Sequence, residues 1–186
     1  GRAAGSLRVA KHLDRHDDAR LPEAKVQLLH EAVLAACDAA DGVEDRVVGD
    51  PERCDFDPGV LECSGGPGDD CLTAAQVATA EMMYSSPENP KTGRAITGVL
   101  PGSEPNWTDM GWTRSARATG IDQYRYLIHG DLDWSIDQFD FDTDIVAAEE
   151  TDNDTLNALD PNLRPFLDRG GKLLAYHGWA DAQISP

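Results

Sequence analysis

The segment 37–47, CDAADGVEDRV, contains the residue types that bind a hard cation. Calcium takes about six to eight oxygen ligands and accepts both carboxylates and backbone carbonyls. In a looped, extended backbone, alternate positions turn their oxygens to one side, and here these are Asp41, Val43, Asp45 and Val47. Asp38 could complete the shell, with Gly42 permitting the turn. The spacing is not that of an EF-hand, because the twelfth position from Asp38 is Gly49 instead of Glu. An Asp-rich turn that caps a helix has the same spacing, so the residues leave both interpretations open.

Four cysteines flank this segment or follow it closely: Cys37, Cys54, Cys63 and Cys71. None forms the paired C-x-x-C of a zinc site, so we expect disulfide bonds and an oxidising, secreted or periplasmic location. A disulfide that closes a loop of this length would stabilise the fold by about 3 kcal/mol in the chain-entropy model. Four cysteines allow more than one connectivity, and the residues alone do not choose among them.

Asp181 is the candidate catalytic residue. It comes shortly after an apolar run, 172–177, which follows Gly170 and Gly171. A carboxylate just beyond a buried strand can accept the imidazole proton of a catalytic histidine and stabilise the imidazolium. An Asp that caps the next helix would give the same pattern. His177 lies on the expected strand, where a structural role is the simpler interpretation.

Two other patterns imitate active sites. Cys63-Ser64-Gly65-Gly66 resembles a serine-nucleophile turn, but such a turn needs a strand before the serine and a helix after it, and neither flank fits. We therefore interpret Ser64 as a loop residue. The acidic and aromatic segment 131–144 could hold paired glycosidase carboxylates, but nothing fixes their separation. Packing by its aromatic residues, with solvated acids between them, explains it better.

The elements that position these residues are mostly helices. Apolar spacing predicts helices over 21–37, 73–84, 121–129, 144–159 and 163–169. Thr73 and Gln76 have capping-box spacing, and Gly170 is expected as a C-cap. Segment 85–120 is rich in Gly and Pro and should be irregular. Segment 172–177 is predicted to be a buried parallel strand.

The composition excludes several partners. The 186 residues include 34 acidic and 16 basic side chains, which gives a formal charge of −18. Self-repulsion of this size argues against nucleic acid or an anionic membrane as partner, and cations are the more natural ligands. No stretch approaches the roughly 20 apolar residues that span a bilayer. A hydrophobic content of 40% is compatible with a globular core.

From about residue 20 to the end, several motifs occur in a specific order: helix 21–37, AACDAADGVED (35–45), DPERCDFDP (50–58), CLTAAQV (71–77), FDFD (139–142), RGGKL (169–173) and YHGWAD (176–181). Together they resemble the lid domain of the tannase and feruloyl esterase family. That family is similar to α/β hydrolases with a large inserted lid. The resemblance implies a partial α/β-hydrolase chain, with residues 1–165 as the helix- and loop-rich lid domain and residues 166–186 returning to the core as one strand.

The resemblance also implies roles for individual residues. Asp38, Asp41 and Asp45 would bind a structural calcium ion through side chains, and Val43 and Val47 through main-chain carbonyls. The disulfides would be Cys37–Cys54 and Cys63–Cys71, and Asp181 would be the triad acid. The family's C-S-x-G-G nucleophile turn and its His-Cys pair are both missing from this sequence.

The implied activity is that of a carboxylic ester hydrolase that acts on esters of aromatic acids by a Ser-His-Asp mechanism. This chain would contribute Asp181 and the lid, would depend on the rest of the hydrolase chain, and would be inactive alone. Trp112 is the best candidate for stacking on the substrate, although lid packing would explain it equally well. The competing hypothesis is a calcium-stabilised structural or adhesion module without catalysis.

Overall fold

A computed structural model of the chain describes residues 2–96, 98–107, 118–153, 155–157 and 159–186. Its α-helices are α1 (Arg2–Arg15), α2 (Glu23–Cys37), α3 (Ala74–Tyr84), α4 (Ala118–Asp122), α5 (Phe141–Asp152) and α6 (Arg164–Leu167), and a π-helix (Gln123–Ile128) continues directly from α4. Short 3-10 turns lie at Asp17–Ala19, Asp38–Asp41, Pro51–Arg53, Pro58–Leu61, Glu104–Asn106 and Ile136–Gln138. Among these described residues, no helix has the length and apolar character that crossing a bilayer requires.

Helices α2 and α3 form where the sequence predicts them. The buried face of α2 carries Val26, Leu29 and Val33. At the start of α3, the Gln76 backbone N–H donates to Thr73 Oγ1 at 3.2 Å, and the Thr73 N–H donates to Gln76 Oε1 at 3.0 Å. This reciprocal capping box satisfies two N–H groups that the first turn of a helix leaves unpaired. The predicted capping box is therefore confirmed.

Helix α1 was not predicted from the sequence, where the first organised element was placed at Leu21. Ala4, Leu7, Ala10 and Leu13 recur at three-residue intervals, and all four are buried. This spacing was the available signal. Lys11 and His12 lie between these positions, so the apolar stripe is narrow and easily overlooked.

Among the described residues, most buried side chains belong to two large clusters with α1 between them. One joins Val9 and Leu13 of α1 to residues of α2 and α3 and to Trp107. The other joins Ala4 and Leu7 to Tyr124, Trp134, Phe139 and Ile145. The aromatic residues of segment 131–144 thus contribute to packing, as the sequence indicated.

The later helices differ from prediction mainly at their ends. Helix α5 stops at Asp152 because Asn153 adopts a left-handed conformation, with φ of 44°. Helix α6 spans only Arg164–Leu167, and Gly170 follows with φ of 81°. Residues with a left-handed backbone follow both helices, and apolar spacing does not report such positions.

The predicted strand at 172–177 is wrong for this structure. Within the described ranges there are two isolated β-bridges, Glu62 with Leu72 and Glu88 with Ala95, and no strand. Leu174 is 90% exposed and Tyr176 is 94% exposed. A buried parallel strand needs hydrogen-bonding neighbours and cover on both faces, and the described residues supply no partner strand. The described chain is therefore helix-rich, without the sheet that the α/β class implies.

Candidate functional site

The Asp-rich loop begins where α2 ends. Gly42 closes the Asp38–Asp41 turn with φ of 96°, and Arg46 also has a positive φ, of 66°. The Asp38 carboxylate accepts hydrogen bonds from three successive backbone N–H groups of Asp45, Arg46 and Val47, at 3.2, 3.0 and 3.2 Å. One carboxylate at the helix end therefore holds the returning side of the loop.

The other carboxylates of the loop also accept backbone hydrogen bonds. The Val43 N–H donates to Asp41 Oδ1 at 2.9 Å, and the Val47 N–H donates to Asp45 Oδ1 at 3.1 Å. The Asp41 carboxylate lies so close to Gly49 that a Cβ there would come within 2.0 Å of Oδ2. A residue with a side chain at position 49 would displace this carboxylate.

The donor chemistry of the loop suits calcium, because carboxylate and main-chain oxygens are the ligands that this cation prefers. Within the described residues, however, no group of three acidic, histidine or cysteine side chains is arranged to hold a metal ion. Asp38, Asp41, Val43, Asp45 and Val47 thus share one exposed loop, with the carboxylates directed at backbone amides. The residue types fit a calcium ion, and their assembly around one would require these amide contacts to rearrange.

Both disulfides that the resemblance implied are present. Cys37 is bonded to Cys54 and Cys63 to Cys71. The first bond joins the end of α2 to the chain that returns from the Asp-rich loop. Val48 is buried beside it in a small cluster with residues of α2. The base of the loop is thus covalently closed and packed.

Asp181 lies in a tight turn near the end of the chain. Its Oδ1 accepts the backbone N–H groups of Gln183 at 2.8 Å and Ile184 at 2.9 Å. The next residue, Ala182, is buried in the core cluster that contains α2 and α3. Asn106 donates from Nδ2 to the Ala180 carbonyl at 2.8 Å. Contacts on both sides therefore fix the backbone position of Asp181.

A cavity of about 470 Å³ lies at this turn, with Asn106, Gly178 and Asp181 among the residues that line it. His177 is exposed, and its Nδ1 lies 3.3 Å from the Gly178 carbonyl oxygen. Ser64 is exposed in the loop that the Cys63–Cys71 bond closes, and no helix begins directly after it. Trp112 lies outside the described residues.

A buried carboxylate, Glu104, was missed by the sequence reasoning. Its side chain is fully buried. His30 Nδ1 lies 2.7 Å from Oε2, the Tyr84 hydroxyl donates to Oε1 at 2.7 Å, and the Gly102 N–H donates to the same oxygen at 2.9 Å. Burial, followed by the charge and hydrogen bond of Glu104, raises the pKa of Tyr84 well above its usual value.

The Glu104 cluster connects α2 and α3 to the turn Glu104–Asn106. Asn106 of this turn contacts the Asp181 segment, so one buried carboxylate anchors the support of the candidate catalytic residue. Trp107 packs beside it, with its ring centroid 5.3 Å from that of Tyr84. No local sequence signal reveals this role, because a buried Glu and a solvated Glu look alike in an irregular segment.

The aromatic segment 131–144 ends in a second buried carboxylate, Asp144, which is paired with a histidine. Asp144 Oδ1 lies 2.8 Å from His129 Nε2, and its Oδ2 accepts the Asp140 N–H at 2.8 Å. The His129 ring stacks on Trp134 with 5.3 Å between centroids. These contacts close the π-helix onto α5 and are consistent with a structural role.

Comparison with known proteins identifies the kind of protein that has this fold. The family model described as "Tannase and feruloyl esterase" matches residues 3–186. An uncharacterized esterase of Xanthomonas campestris is 33% identical over 186 residues, covering 90% of this chain and 32% of the relative. Feruloyl esterase B of Aspergillus niger is 31% identical over 159 residues, covering 85% of this chain and 30% of the relative.

A solved structure gives the same result. The crystal structure of feruloyl esterase B from Aspergillus oryzae superposes with a TM-score of 0.90 and 26% identity, covering 98% of this chain and 37% of that one. The relatives and the solved structure that the chain matches are described as esterases. The chain belongs to the tannase and feruloyl esterase family. The chain spans about a third of the length of the relatives it matches.

Proposed function

We propose that this chain is part of a secreted serine carboxylesterase that hydrolyses esters of aromatic acids. The observation that carries the proposal is the family match across residues 3–186, together with feruloyl esterase relatives. The geometry at Asp181 supports it: a carboxylate on a turn held by two backbone N–H groups, beside a cavity of about 470 Å³. The two disulfides fit an oxidising compartment.

In this proposal Asp181 orients the catalytic histidine. A serine oxygen attacks the ester carbonyl carbon while the histidine removes the serine proton. The same histidine then protonates the leaving alcohol, and water repeats the sequence to release the acid. Asp181 accepts a hydrogen bond from the other ring nitrogen, which fixes the tautomer and stabilises the imidazolium. Serine and histidine would come from the rest of the hydrolase chain.

The proposed domain division is a lid domain at 1–165 and a return to the α/β-hydrolase core at 166–186. The exposed apolar segment 172–177 supports it. Leu174 and Tyr176 are 90% and 94% exposed, which is unfavourable for side chains of this size in water. A neighbouring sheet supplied by the rest of the protein would bury them and pair their backbone. Trp112 is the proposed lid residue that stacks on the aromatic acid.

The substrate proposal is tested by assaying the full-length protein on methyl ferulate, methyl gallate and a terephthalate monoester. We expect hydrolysis of the ferulate or gallate ester in preference to the terephthalate ester. Trp112→Ala should raise KM for the preferred ester more than it lowers kcat, because stacking contributes to binding before the reaction. A protein that hydrolyses none of these esters would contradict the proposal and favour a structural module.

We also propose that the loop 38–47 binds a structural calcium ion through Asp38, Asp41 and Asp45 and the carbonyls of Val43 and Val47. The oxygen donors and the Cys37–Cys54 closure of the loop support this. Ligand binding to the folded state raises the melting temperature. We therefore expect a chelator to lower the melting temperature and calcium to restore it, with a much smaller chelator effect in Asp41→Asn. An unchanged melting temperature in chelator would refute the site.

A further inference from the structure

A second cavity, of about 280 Å³, lies between α1 and the C-terminal end of α3. Val9, Met82, Met83, Ile96 and Val99 give it largely apolar walls. Residues 182–185 line another side of the cavity. This volume is close to that of the smaller ligand sites in proteins, at roughly 300 Å³. The cavity is therefore large enough for a small organic molecule.

At this cavity, Arg8 has no carboxylate partner and the Ser185 hydroxyl has no hydrogen-bond partner among the described residues. Arg8 of α1 lines it, donates from Nη1 to Ser85 Oγ at 3.0 Å and lies over the Phe141 ring at 5.9 Å. Across the described ranges, no carboxylate forms an ion pair with Arg8. Ser185 also lines the cavity, and its Oγ is buried and has no hydrogen-bond partner among the described residues.

The missing partner of Arg8 is significant because of the chain's composition. Acidic side chains outnumber basic ones by 34 to 16. Arg94, at the same cavity, is paired with Glu149. Burial lowers the pKa of the Arg8 guanidinium, so this cation has lost part of its hydration without gaining a counter-charge from the described residues. An anionic ligand would supply that charge.

We propose that this cavity binds a small organic carboxylate with an apolar body, held by Arg8 and Ser185. The guanidinium has a planar fork of N–H donors that matches a carboxylate, and one of its N–H groups is already fixed by Ser85. A rotation of the Ser185 side chain brings its hydroxyl into the cavity, where it donates to a carboxylate oxygen, and the apolar body occupies the space between Met82, Met83 and Ile96. The site does not require the chain to be part of an active esterase.

The site adjoins the candidate catalytic turn. Ala182, Gln183 and Ile184 line both this cavity and the one that contains Asp181. A ligand bound at Arg8 would therefore contact the residues whose N–H groups hold the Asp181 carboxylate. If the proposed ester hydrolysis holds, an aromatic acid released by the reaction has the same chemistry as the ligand inferred here.

The test uses full-length protein labelled with ¹³C at the methionine methyl groups. Met82 and Met83 line the cavity, so their resonances, assigned by substitution with Leu, report binding there and not at an active site. Titration with trans-cinnamate should shift both resonances with saturation in the millimolar range or below. Cinnamamide, which has the same shape without the charge, should bind roughly tenfold more weakly or worse.

Variants of α1 supply the control. Arg8→Ala should weaken cinnamate binding roughly tenfold or more, and Arg8→Lys should weaken it less, since Lys keeps the charge but loses the planar fork. Arg15→Ala, at the exposed end of the same helix, should bind cinnamate like the unmodified protein. Should Arg8→Ala not fold, the comparison of cinnamate with cinnamamide and the Arg8→Lys variant decide the question. Absent methionine shifts, equal binding of the amide, or equal affinity in the Arg8 and Arg15 variants would overturn the proposal.

Discussion

Replacing Glu104 with alanine should destabilise the fold more than any surface substitution. The carboxylate accepts hydrogen bonds from the Tyr84 hydroxyl and the Gly102 N–H and contacts His30. All of these groups sit at a point where α2, α3 and the Glu104–Asn106 turn meet. Alanine removes the common acceptor and leaves buried donors unpaired, because no other acceptor is bonded to the Tyr84 hydroxyl in this part of the structure.

The magnitude follows from the number of donors affected. A buried donor without an acceptor costs about 1–3 kcal/mol, so the Tyr84 and Gly102 donors together cost about 2–6 kcal/mol. Some relaxation and water entry will reduce this, and we expect a loss of about 3 kcal/mol in the free energy of unfolding. Glu104→Gln keeps one acceptor oxygen and should lose about half as much.

The assay is urea unfolding followed by circular dichroism, with Glu81→Ala as the matched control. Glu81 is an exposed residue on α3, and its substitution should change the free energy of unfolding by less than about 0.5 kcal/mol. Equal stability of the Glu104→Ala and Glu81→Ala variants would refute the view that Glu104 anchors this junction.

Three further predictions concern Asn106, Tyr84 and the Cys37–Cys54 bond. In an active full-length enzyme, Asn106→Ala should lower kcat about tenfold with little change in KM, because loss of the hydrogen bond to the Ala180 carbonyl loosens the Asp181 turn. An unchanged kcat would show that the turn does not depend on Asn106. Since the pKa of Tyr84 is raised in the folded state, its stabilising contribution is complete below about pH 10 and is lost as the pH rises toward the folded pKa. Urea unfolding at increasing alkaline pH should show a smaller decline in Tyr84→Phe than in the unmodified protein, and equal declines would contradict this assignment. Cys37→Ser with Cys54→Ser opens a closure of 17 residues and should cost about 3 kcal/mol by urea unfolding. Because reductant also opens the Cys63–Cys71 bond, it should destabilise the unmodified protein more than the variant, and equal effects would contradict this role of the Cys37–Cys54 bond.

Local patterns predicted the elements that local chemistry determines. Helix α3 begins at its capping box because Thr73 and Gln76 are three residues apart, and α2 forms around its apolar stripe. The Asp-rich loop is also local, since Asp38 reaches amides only seven to nine residues away. The disulfide connectivity did not follow from spacing and came from the resemblance to the family.

Helix α1 had a local signal, but interactions between distant segments account for two other features that the sequence did not reveal. Glu104 is hydrogen-bonded to His30, 74 residues away, and to Tyr84, 20 residues away, and no local pattern predicts either contact. The same reason explains the wrong strand at 172–177. The apolar residues of this segment are typical of a strand, but a strand forms only beside a partner strand, and the described residues do not contain one.

The central claim, that Asp181 is the triad acid of an aromatic-acid esterase, is tested most directly by Asp181→Asn in the full-length protein. Asparagine keeps the size and the turn, since its Oδ1 can accept the same two N–H groups from Gln183 and Ile184. It removes the charge that stabilises the imidazolium and favours the wrong histidine tautomer, which lowers kcat by roughly 10⁴-fold in a serine triad. We predict a loss of kcat of at least about a thousandfold on methyl ferulate or methyl gallate, with an unchanged melting temperature. A fully folded variant that retains ordinary kcat would contradict the account.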